Sequence, residues 1–225
     1  KRRAGGGLRQ LFSSRATARI TMAQLYMWAT VSLSYYAISF NAGNLSESLH
    51  LNFLLVSLPL FATGYLAPKL MDHRAIGRRG AGVAFYAMIV VAIVTGVVWP
   101  SSATVGSMVG TFAAMGSFCL VFVQVPELYP TDARGSALGA CSAGGRVSTL
   151  VSAVLPILLG SSGTLSLIGT LCAIAVPLSW FAFPETLGRP LGEAVPAAAG
   201  DRSVGLARLR LDARAEVAPA RLVEA

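Results

Sequence analysis

Acidic side chains are missing from most of this sequence. Only ten of its 225 residues are Asp or Glu, and none lies at positions 1–46, 73–126 or 133–184. Charged residues of both signs make up 12% of the chain, about half the share of a typical soluble domain. Together with a mean hydropathy of +0.64, this scarcity excludes an ordinary soluble domain. The long acid-free stretches also argue against a paired-carboxylate catalytic site or a proton relay within them.

Cysteine and histidine are scarce as well. The three cysteines, Cys119, Cys141 and Cys172, are odd in number and lie in apolar stretches, so they predict neither a disulfide framework nor a zinc site. The two histidines, His50 and His73, fall in predicted loops with no ligand-spaced partner. The sequence therefore predicts no metal site, no cofactor and no enzymatic activity.

Basic residues exceed acidic ones, which gives a formal net charge of +8. A nucleic-acid-binding protein would carry basic clusters interleaved with aromatics, or a zinc-finger or RNA-binding motif. Here the lysines and arginines lie between apolar blocks and at the two ends of the chain. We therefore expect no nucleic-acid partner.

Six apolar blocks occupy most of the chain. A helix rises about 1.5 Å per residue and the hydrocarbon core of a bilayer is about 30 Å thick, so one crossing needs about 20 apolar residues. Each block meets that length, and the predicted fold class is an all-α membrane protein with six transmembrane helices. The predicted spans are residues 20–42, 51–71, 81–99, 105–125, 136–159 and 164–183.

The basic residues predict the topology of these spans. With the N-terminus in the cytoplasm, seventeen of the 18 lysines and arginines fall on the cytoplasmic side, as the positive-inside rule requires. Both ends of the chain are then cytoplasmic. Residues 1–19 form a basic linker beside membrane lipid, residues 20–183 a transmembrane half-domain, and residues 184–225 a partly disordered tail. Because the first residue is Lys1, we expect an excerpt from a longer protein.

The eighteenth basic residue, Arg146, lies near the middle of the fifth predicted span. An arginine at the bilayer centre costs about 2.5–3.5 kcal/mol to insert, so we expect it to face a cavity or a partner. Ser142 and Thr149 lie on the same helical face and continue a small polar stripe. Two interpretations stay open: contact with a substrate, which we favour, and an ion pair with an acid outside this chain.

A polar and aromatic face is also predicted on the first span. Unpaired polar groups are costly in lipid, so such a face turns toward protein or water and supplies candidate substrate-binding residues. Phe118 and Phe122 of the fourth span are weaker candidates, because phenylalanine in a membrane commonly serves packing. The residues that recur on the first span at helical spacing are Gln24, Trp28, Ser32, Tyr35 and Ser39.

Three loop motifs place acids beside arginines at the predicted cytoplasmic ends of the spans. Such pairs form charge-assisted hydrogen bonds, and pairs that exchange between two rigid-body states act as gates. We therefore predict a gating role for these residues. The motifs are PELYPTDAR with Glu127 and Arg134, the loop of Asp72 with Arg78 and Arg79, and PETLGRPL with Glu185 and Arg189.

The strings LSYYAISFNAGNLSESLHLNFLL (residues 33–55), PELYPTDARGSALGACS (126–142) and PETLGRPL (184–191) resemble the solute carrier 22 family of organic ion transporters, within the major facilitator superfamily. The resemblance covers about residues 8–191. It implies that the six spans form the C-terminal half of a twelve-span fold, a 3+3 inverted repeat, and that an N-terminal half is missing. One departure concerns the inner-loop motif, where the family's acid stands three residues before the glycine but Asp72 stands five before Gly77.

The resemblance implies transport of a small organic ion by alternating access, at the plasma membrane. It implies that Tyr35 and Tyr36 contact the substrate. The position of Arg146 is an arginine in anion and carnitine-type members, which implies an anionic or zwitterionic substrate held by the guanidinium fork. Two alternatives stay open: a non-transporting receptor-like or truncated regulatory protein of the same fold, and a sugar-type facilitator.

Overall fold

The computed structural model describes residues 7–42 and 48–188, and within these ranges the chain forms helices without strands. The prediction of an all-α protein is confirmed for this part of the chain. A short 3₁₀ turn, Pro100–Ser102, leads into the fifth helix. The α-helices are α1 (Gly7–Leu11), α2 (Arg15–Ala42), α3 (Leu49–Asp72), α4 (Gly77–Val98), α5 (Ala103–Leu128) and α6 (Thr131–Phe181).

The helix α6 is interrupted at one residue. Gly160 has φ 69° and ψ 174° inside a 51-residue helix, a conformation that glycine adopts without the steric cost that a Cβ atom would bring. The chain therefore changes direction between two helical parts, residues 131–159 and 161–181. These parts overlap the fifth and sixth predicted spans.

In the described ranges, four helices are long and apolar enough to cross a membrane. The helix α2 has the length, at 28 residues, but mixes threonine, serine and glutamine with its apolar residues. Six crossings therefore stay a prediction, as do the predicted domain limits after residues 19 and 183. The four helices are His50–Asp72, Gly77–Val98, Ala103–Leu128 and Thr131–Phe181.

The core forms where α2 packs against α6, and where α4 packs against both α5 and α6. The approach of α5 to α4 depends on Gly116, where a Cβ atom would lie 2.5 Å from Cε1 of Phe85. Small residues allow helices in lipid to approach closely in this way. Fully buried side chains at the centre of the core include Met27, Val31, Tyr86, Ile89, Val121 and Ile168.

Large apolar side chains also cover the outside of the bundle. Phe61 on α3, Ile157 on α6 and Phe181 at the end of α6 are each about 80% exposed. A soluble monomer rarely exposes apolar surface on this scale. These faces therefore suit contact with lipid or with another apolar protein surface.

Candidate functional site

A cavity of about 130 Å³ lies between α2, α5 and the first part of α6. Each helix contributes side chains that lie one turn apart, so the cavity follows from helical periodicity on three elements. Its wall combines aromatic rings, small hydroxyl side chains and one cation. The lining residues are Trp28, Ser32, Tyr36, Phe118, Phe122, Ser142, Gly145, Arg146 and Thr149.

Most of the residues predicted from the sequence as substrate-binding lie together in this wall: Trp28, Tyr36, Phe118, Phe122 and Arg146. Gln24, Tyr35 and Ser39 do not line it, and Gln24 is fully buried. The ring of Tyr35 packs edge-on against the rings of Tyr36 and Phe118, with centroids 5.3 and 5.7 Å apart. The Ser39 hydroxyl donates a hydrogen bond to the Tyr35 carbonyl at 2.7 Å. Tyr35 therefore supports two rings of the wall without lining it, and Ser39 bonds within its own helix.

One lining residue was not anticipated, Gly145. A Cβ atom there would lie 2.9 Å from the Ser32 hydroxyl and 3.3 Å from the Trp28 ring, so this glycine brings α6 close to α2. The signal in the sequence was its position beside Arg146, on the face that also carries Ser142 and Thr149.

Arg146 is the cationic group of the cavity. Its side chain is exposed, and no hydrogen bond or ion pair joins it to the part of the chain that the structure describes. The acidic residues of that part, Asp72, Glu127, Asp132 and Glu185, all lie at helix ends or beyond them. The guanidinium is thus available to an anionic group that enters the cavity.

Aromatic rings line the same cavity as this cation. The rings of Trp28 and Phe122 meet edge to face, with centroids 4.6 Å apart and planes at 62°. Such faces accept apolar groups and attract organic cations through the ring quadrupole. The cavity wall therefore combines a guanidinium, which can pair with a carboxylate, with aromatic faces, which can contact an apolar or ammonium group.

A second group of polar residues joins the ends of α3, α4 and α5, and we name Asp72, Arg78, Glu127, Glu185 and Thr186 the carboxylate–arginine cluster. The Arg78 guanidinium donates to Glu127 through Nε at 3.2 Å and Nη2 at 3.0 Å. Its Nη1 atom lies 2.6 Å from Asp72 Oδ1. The Thr186 hydroxyl donates to Glu127 at 2.5 Å. Through Arg78 the cluster therefore connects α3, α4, α5 and the segment after α6.

Glu185 performs a different task in this cluster, because it caps α4. Its carboxylate accepts the backbone N–H groups of Arg78 at 2.9 Å and Arg79 at 3.2 Å. Gly77 has φ +64°, and a Cβ atom there would lie 2.5 Å from the same carboxylate. Burial raises the pKa of Glu185, but backbone N–H groups from α4 and from Thr186 and Leu187 outweigh it and hold the pKa below the ordinary 4.5.

This cap predicts a pH-dependent contribution to stability. Since the pKa of Glu185 is lowered on folding, its contribution is present above about pH 4.5 and is lost as the pH falls through the folded-state value. We expect Glu185→Ala to lower the unfolding free energy by about 1 kcal/mol at pH 7. Thermal unfolding of both proteins should show the difference shrinking below about pH 4.5. A difference that stays constant down to pH 3 would contradict this assignment.

Two other arginines predicted to gate, Arg79 and Arg134, have side chains that make no hydrogen bond or ion pair with the cluster among the described residues. The Arg79 guanidinium lies over the Trp180 ring, 4.7 Å from its centroid, and donates to the Trp180 carbonyl. Arg134 is half-buried, and its Nε atom has no hydrogen-bond partner among the described residues. Arg189 lies outside the described residues. The pairing that the structure favours therefore links Glu127 to Arg78 rather than to Arg134.

The described residues hold no group of three or more His, Cys, Asp or Glu side chains that could bind a metal ion. The three cysteines are free thiols. The Cys172 thiol lies 3.1 Å from the Ser34 hydroxyl, at the contact between α2 and α6. The Cys172 thiol thus contributes to the packing of α2 against α6.

Comparison with known proteins places the chain in a family. The sugar (and other) transporter family matches residues 2–197. Solute carrier family 22 member 15 of Xenopus tropicalis is 27% identical over 194 residues, which cover 81% of this chain and 36% of that protein. Solute carrier family 22 member 4 of Mus musculus is 32% identical over 193 residues, 81% of this chain and 34% of that protein. Organic cation/carnitine transporter 2 of Rattus norvegicus is 28% identical over 194 residues, which cover 82% of this chain and 34% of that protein.

The chain thus spans about a third of the length of these relatives. The relatives and the four apolar helices indicate an integral membrane protein. The matched family is described as transporters, and the relatives are named as solute carriers and transporters rather than as enzymes. The resemblance to solute carrier 22 proteins is confirmed by the relatives. This chain belongs to the sugar (and other) transporter family of the major facilitator superfamily, and its relatives are solute carrier 22 transporters.

Proposed function

We propose that this chain forms one half of a twelve-helix carrier that moves small organic ions across a membrane by alternating access. In this proposal α2 to α5 and the two parts of α6 are six crossings, built as a 3+3 inverted repeat with both ends in the cytoplasm. The substrates are anionic or zwitterionic. The membrane is the plasma membrane.

The observation that carries the proposed substrate class is Arg146. Its guanidinium lies in the cavity wall without an acidic partner among the described residues. A cation that the second half of the carrier would enclose without a partner is costly, and a substrate carboxylate would compensate it with a bidentate hydrogen bond. Three relatives are named organic cation/carnitine transporters, and carnitine carries both an ammonium group and a carboxylate. In such a zwitterion the carboxylate would pair with Arg146 and the ammonium group would contact the aromatic rings of the cavity wall.

The proposed second half would close the cavity. At about 130 Å³ the cavity is smaller than a typical ligand site, and both Arg146 and Phe122 are exposed beside it. The exposed apolar side chains on α3 and on the first part of α6, such as Phe61 and Ile157, offer a surface for that half. The carboxylate–arginine cluster lies at the helix ends, where its pairs could break and re-form as the halves rock.

Uptake by the full-length protein tests this function. Vesicles that contain the purified protein should accumulate a radiolabelled organic anion or a carboxylate-bearing zwitterion faster than empty vesicles do. A permanent organic cation and a neutral sugar serve as comparison solutes, and both should enter at the background rate. Preferred uptake of the cation or the sugar would contradict the substrate class. Binding of a solute without any flux would favour the receptor-like alternative instead.

A further inference from the structure

Two largely apolar cavities lie along α4 and α5, and neither shares a lining residue with the cavity of Arg146. The larger, about 440 Å³, lies between α4, the 3₁₀ turn and the start of α5. The smaller, about 270 Å³, lies where α3 meets α4 and α5. Val109 lines both, so we treat them as one groove and name it the α4–α5 groove. Its main walls are Met88, Val91 and Trp99 of α4, and Val105, Val109 and Phe112 of α5.

The α4–α5 groove opens on a different side of the bundle from the Arg146 cavity. Phe118 and Phe122 line that cavity, and at 100° per residue they lie about 140–180° around α5 from Val109. The side chains of Val91 and Trp99 are 59% and 60% exposed, so the groove is open to its surroundings. A membrane protein presents such an apolar, outward-facing groove to lipid.

One end of the groove is polar and the other is closed by α3. Trp99, Ser101 and Ser102 line the polar end, at the turn between α4 and α5. The Ser102 hydroxyl donates to the Trp99 carbonyl at 2.8 Å, and its oxygen can accept a hydrogen bond as well. At the other end the Thr63 hydroxyl of α3 donates to the Phe112 carbonyl at 3.3 Å. An amphiphile with one polar end would therefore enter in a single direction.

The length of the groove matches one leaflet of a bilayer. Met88 and Trp99 are eleven residues apart on α4, which corresponds to about 16 Å along the helix. Half of a hydrocarbon core is about 15 Å thick. Tryptophan commonly lies at the membrane–water interface, so Trp99 places the polar end of the groove there. The floor is shallow, because a Cβ atom at Gly106 would lie 3.0 Å from the Ala92 carbonyl oxygen.

The charge of the groove selects among amphiphiles. Residues 80–126, which include all of its α4 and α5 walls, contain no Asp, Glu, Lys or Arg. A phospholipid phosphate would find no cation at this end, whereas a neutral hydroxyl can bond to a serine or accept the indole N–H. A rigid apolar body also loses less conformational freedom on binding than a flexible acyl chain does. A neutral, rigid amphiphile about one leaflet long fits these requirements.

We propose that the α4–α5 groove binds a membrane sterol. The sterol hydroxyl lies at Ser102 beside the Trp99 indole, and the ring system lies along Val91 and Val109. The proposal rests on the groove alone and requires neither transport nor the proposed substrate class.

Photolabelling of the full-length protein in lipid nanodiscs tests this site. A cholesterol analogue that carries a diazirine on its ring system should label residues within 88–112, as identified by mass spectrometry of the peptides. Val91→Trp fills the groove and should lower this labelling about tenfold. The matched control is Val97→Trp, at a valine that is 47% exposed and about 120° around α4 from Val91, and it should label like the unaltered protein. Equal labelling of the two variants would overturn the proposal.

Competition on the unaltered protein decides the question even if Val91→Trp fails to fold. Excess cholesterol should displace the probe, whereas phosphatidylcholine and cholesterol sulfate should displace it poorly, because the groove offers no partner for their charges. Displacement by phosphatidylcholine as effective as that by cholesterol would assign the groove to ordinary acyl chains. Absence of labelling within 88–112 would mean that another protein surface covers it. Either result overturns the sterol site, and neither depends on flux, so failure of the proposed function is distinguishable from failure of this proposal.

Discussion

Replacing Arg146 with glutamine should lower the uptake of an anionic substrate by about 10- to 100-fold, as an increase in KM. The guanidinium is the cation that lines the cavity, and a charge-assisted hydrogen bond contributes about 1.5–3 kcal/mol, where 1.4 kcal/mol corresponds to a factor of ten. Arg146→Lys keeps the charge but loses the planar fork, so its KM for the anion should lie between those of the unaltered protein and of Arg146→Gln. Initial rates of labelled anion uptake over a range of concentrations measure both variants.

Charge reversal sharpens this test. Arg146→Glu would repel an anion and attract a cation, so it should abolish anion uptake and raise the uptake of an organic cation above background. The matched control is Arg74→Gln, since Arg74 is exposed in the turn between α3 and α4. If the Arg146 variants transport anions like the Arg74 variant, the arginine does not contact substrate. A lower Tm for Arg146→Gln, with no change in Tm for Arg74→Gln, would instead support an ion pair between Arg146 and an acid elsewhere in the full-length protein.

Replacing Glu127 with glutamine should destabilise the protein by about 2 kcal/mol. Glu127 accepts three hydrogen-bond contacts from the Arg78 guanidinium within 3.3 Å, and the two side chains are only 17% and 12% exposed. Removing the carboxylate charge leaves a largely buried arginine with a weaker partner, and hydrogen bonds to charged groups contribute about 1.5–3 kcal/mol. Chemical or thermal unfolding of the full-length protein in detergent measures the loss.

The same arginine provides the control for Glu127. Asp72 also pairs with Arg78, at 2.6 Å, but is 65% exposed, and water screens exposed pairs to about 0–1 kcal/mol. Asp72→Asn should therefore change stability by less than half as much as Glu127→Gln. If both variants lost the same unfolding free energy, the burial of Glu127 would not strengthen its pairing with Arg78. In the uptake assay, a gating role predicts that Glu127→Gln also changes kcat, whereas a purely structural role leaves the kcat of folded protein unaltered.

The helices and the cavity-facing side of α2 could be predicted because both follow from local periodicity. Trp28 and Ser32 lie one turn apart in the sequence and one turn apart in the cavity wall, and Arg146 stood out because it is costly in an apolar run. Tyr35 could not be assigned in this way. It shares the α2 stripe with Ser32, but its ring packs against Phe118 of α5 and does not line the cavity, and only the packed structure contains that contact.

The loop motifs were harder to interpret for a related reason. A sequence indicates which acids and arginines lie near helix ends, but not which of them meet, since those contacts depend on how the helices pack. Glu127 lies seven residues before Arg134, yet it pairs with Arg78 of α4. Glu185 has no arginine side-chain partner among the described residues and instead binds two backbone N–H groups of α4. Capping of one helix by an acid far along the chain has no local signature in the sequence.

The cap on α4 also bears on biosynthesis. Glu185 follows Arg78, whose N–H it accepts, by 107 residues. When the first turn of α4 leaves the ribosome, the carboxylate that will cap it has yet to be translated, and the chain from α5 to the end of α6 emerges in between. The first turn of α4 must therefore enter the membrane with its N–H groups bonded to water or lipid headgroups. The cap can therefore close only after α6 and Glu185 have been made, so the first turn of α4 gains its partner from a segment translated 107 residues later.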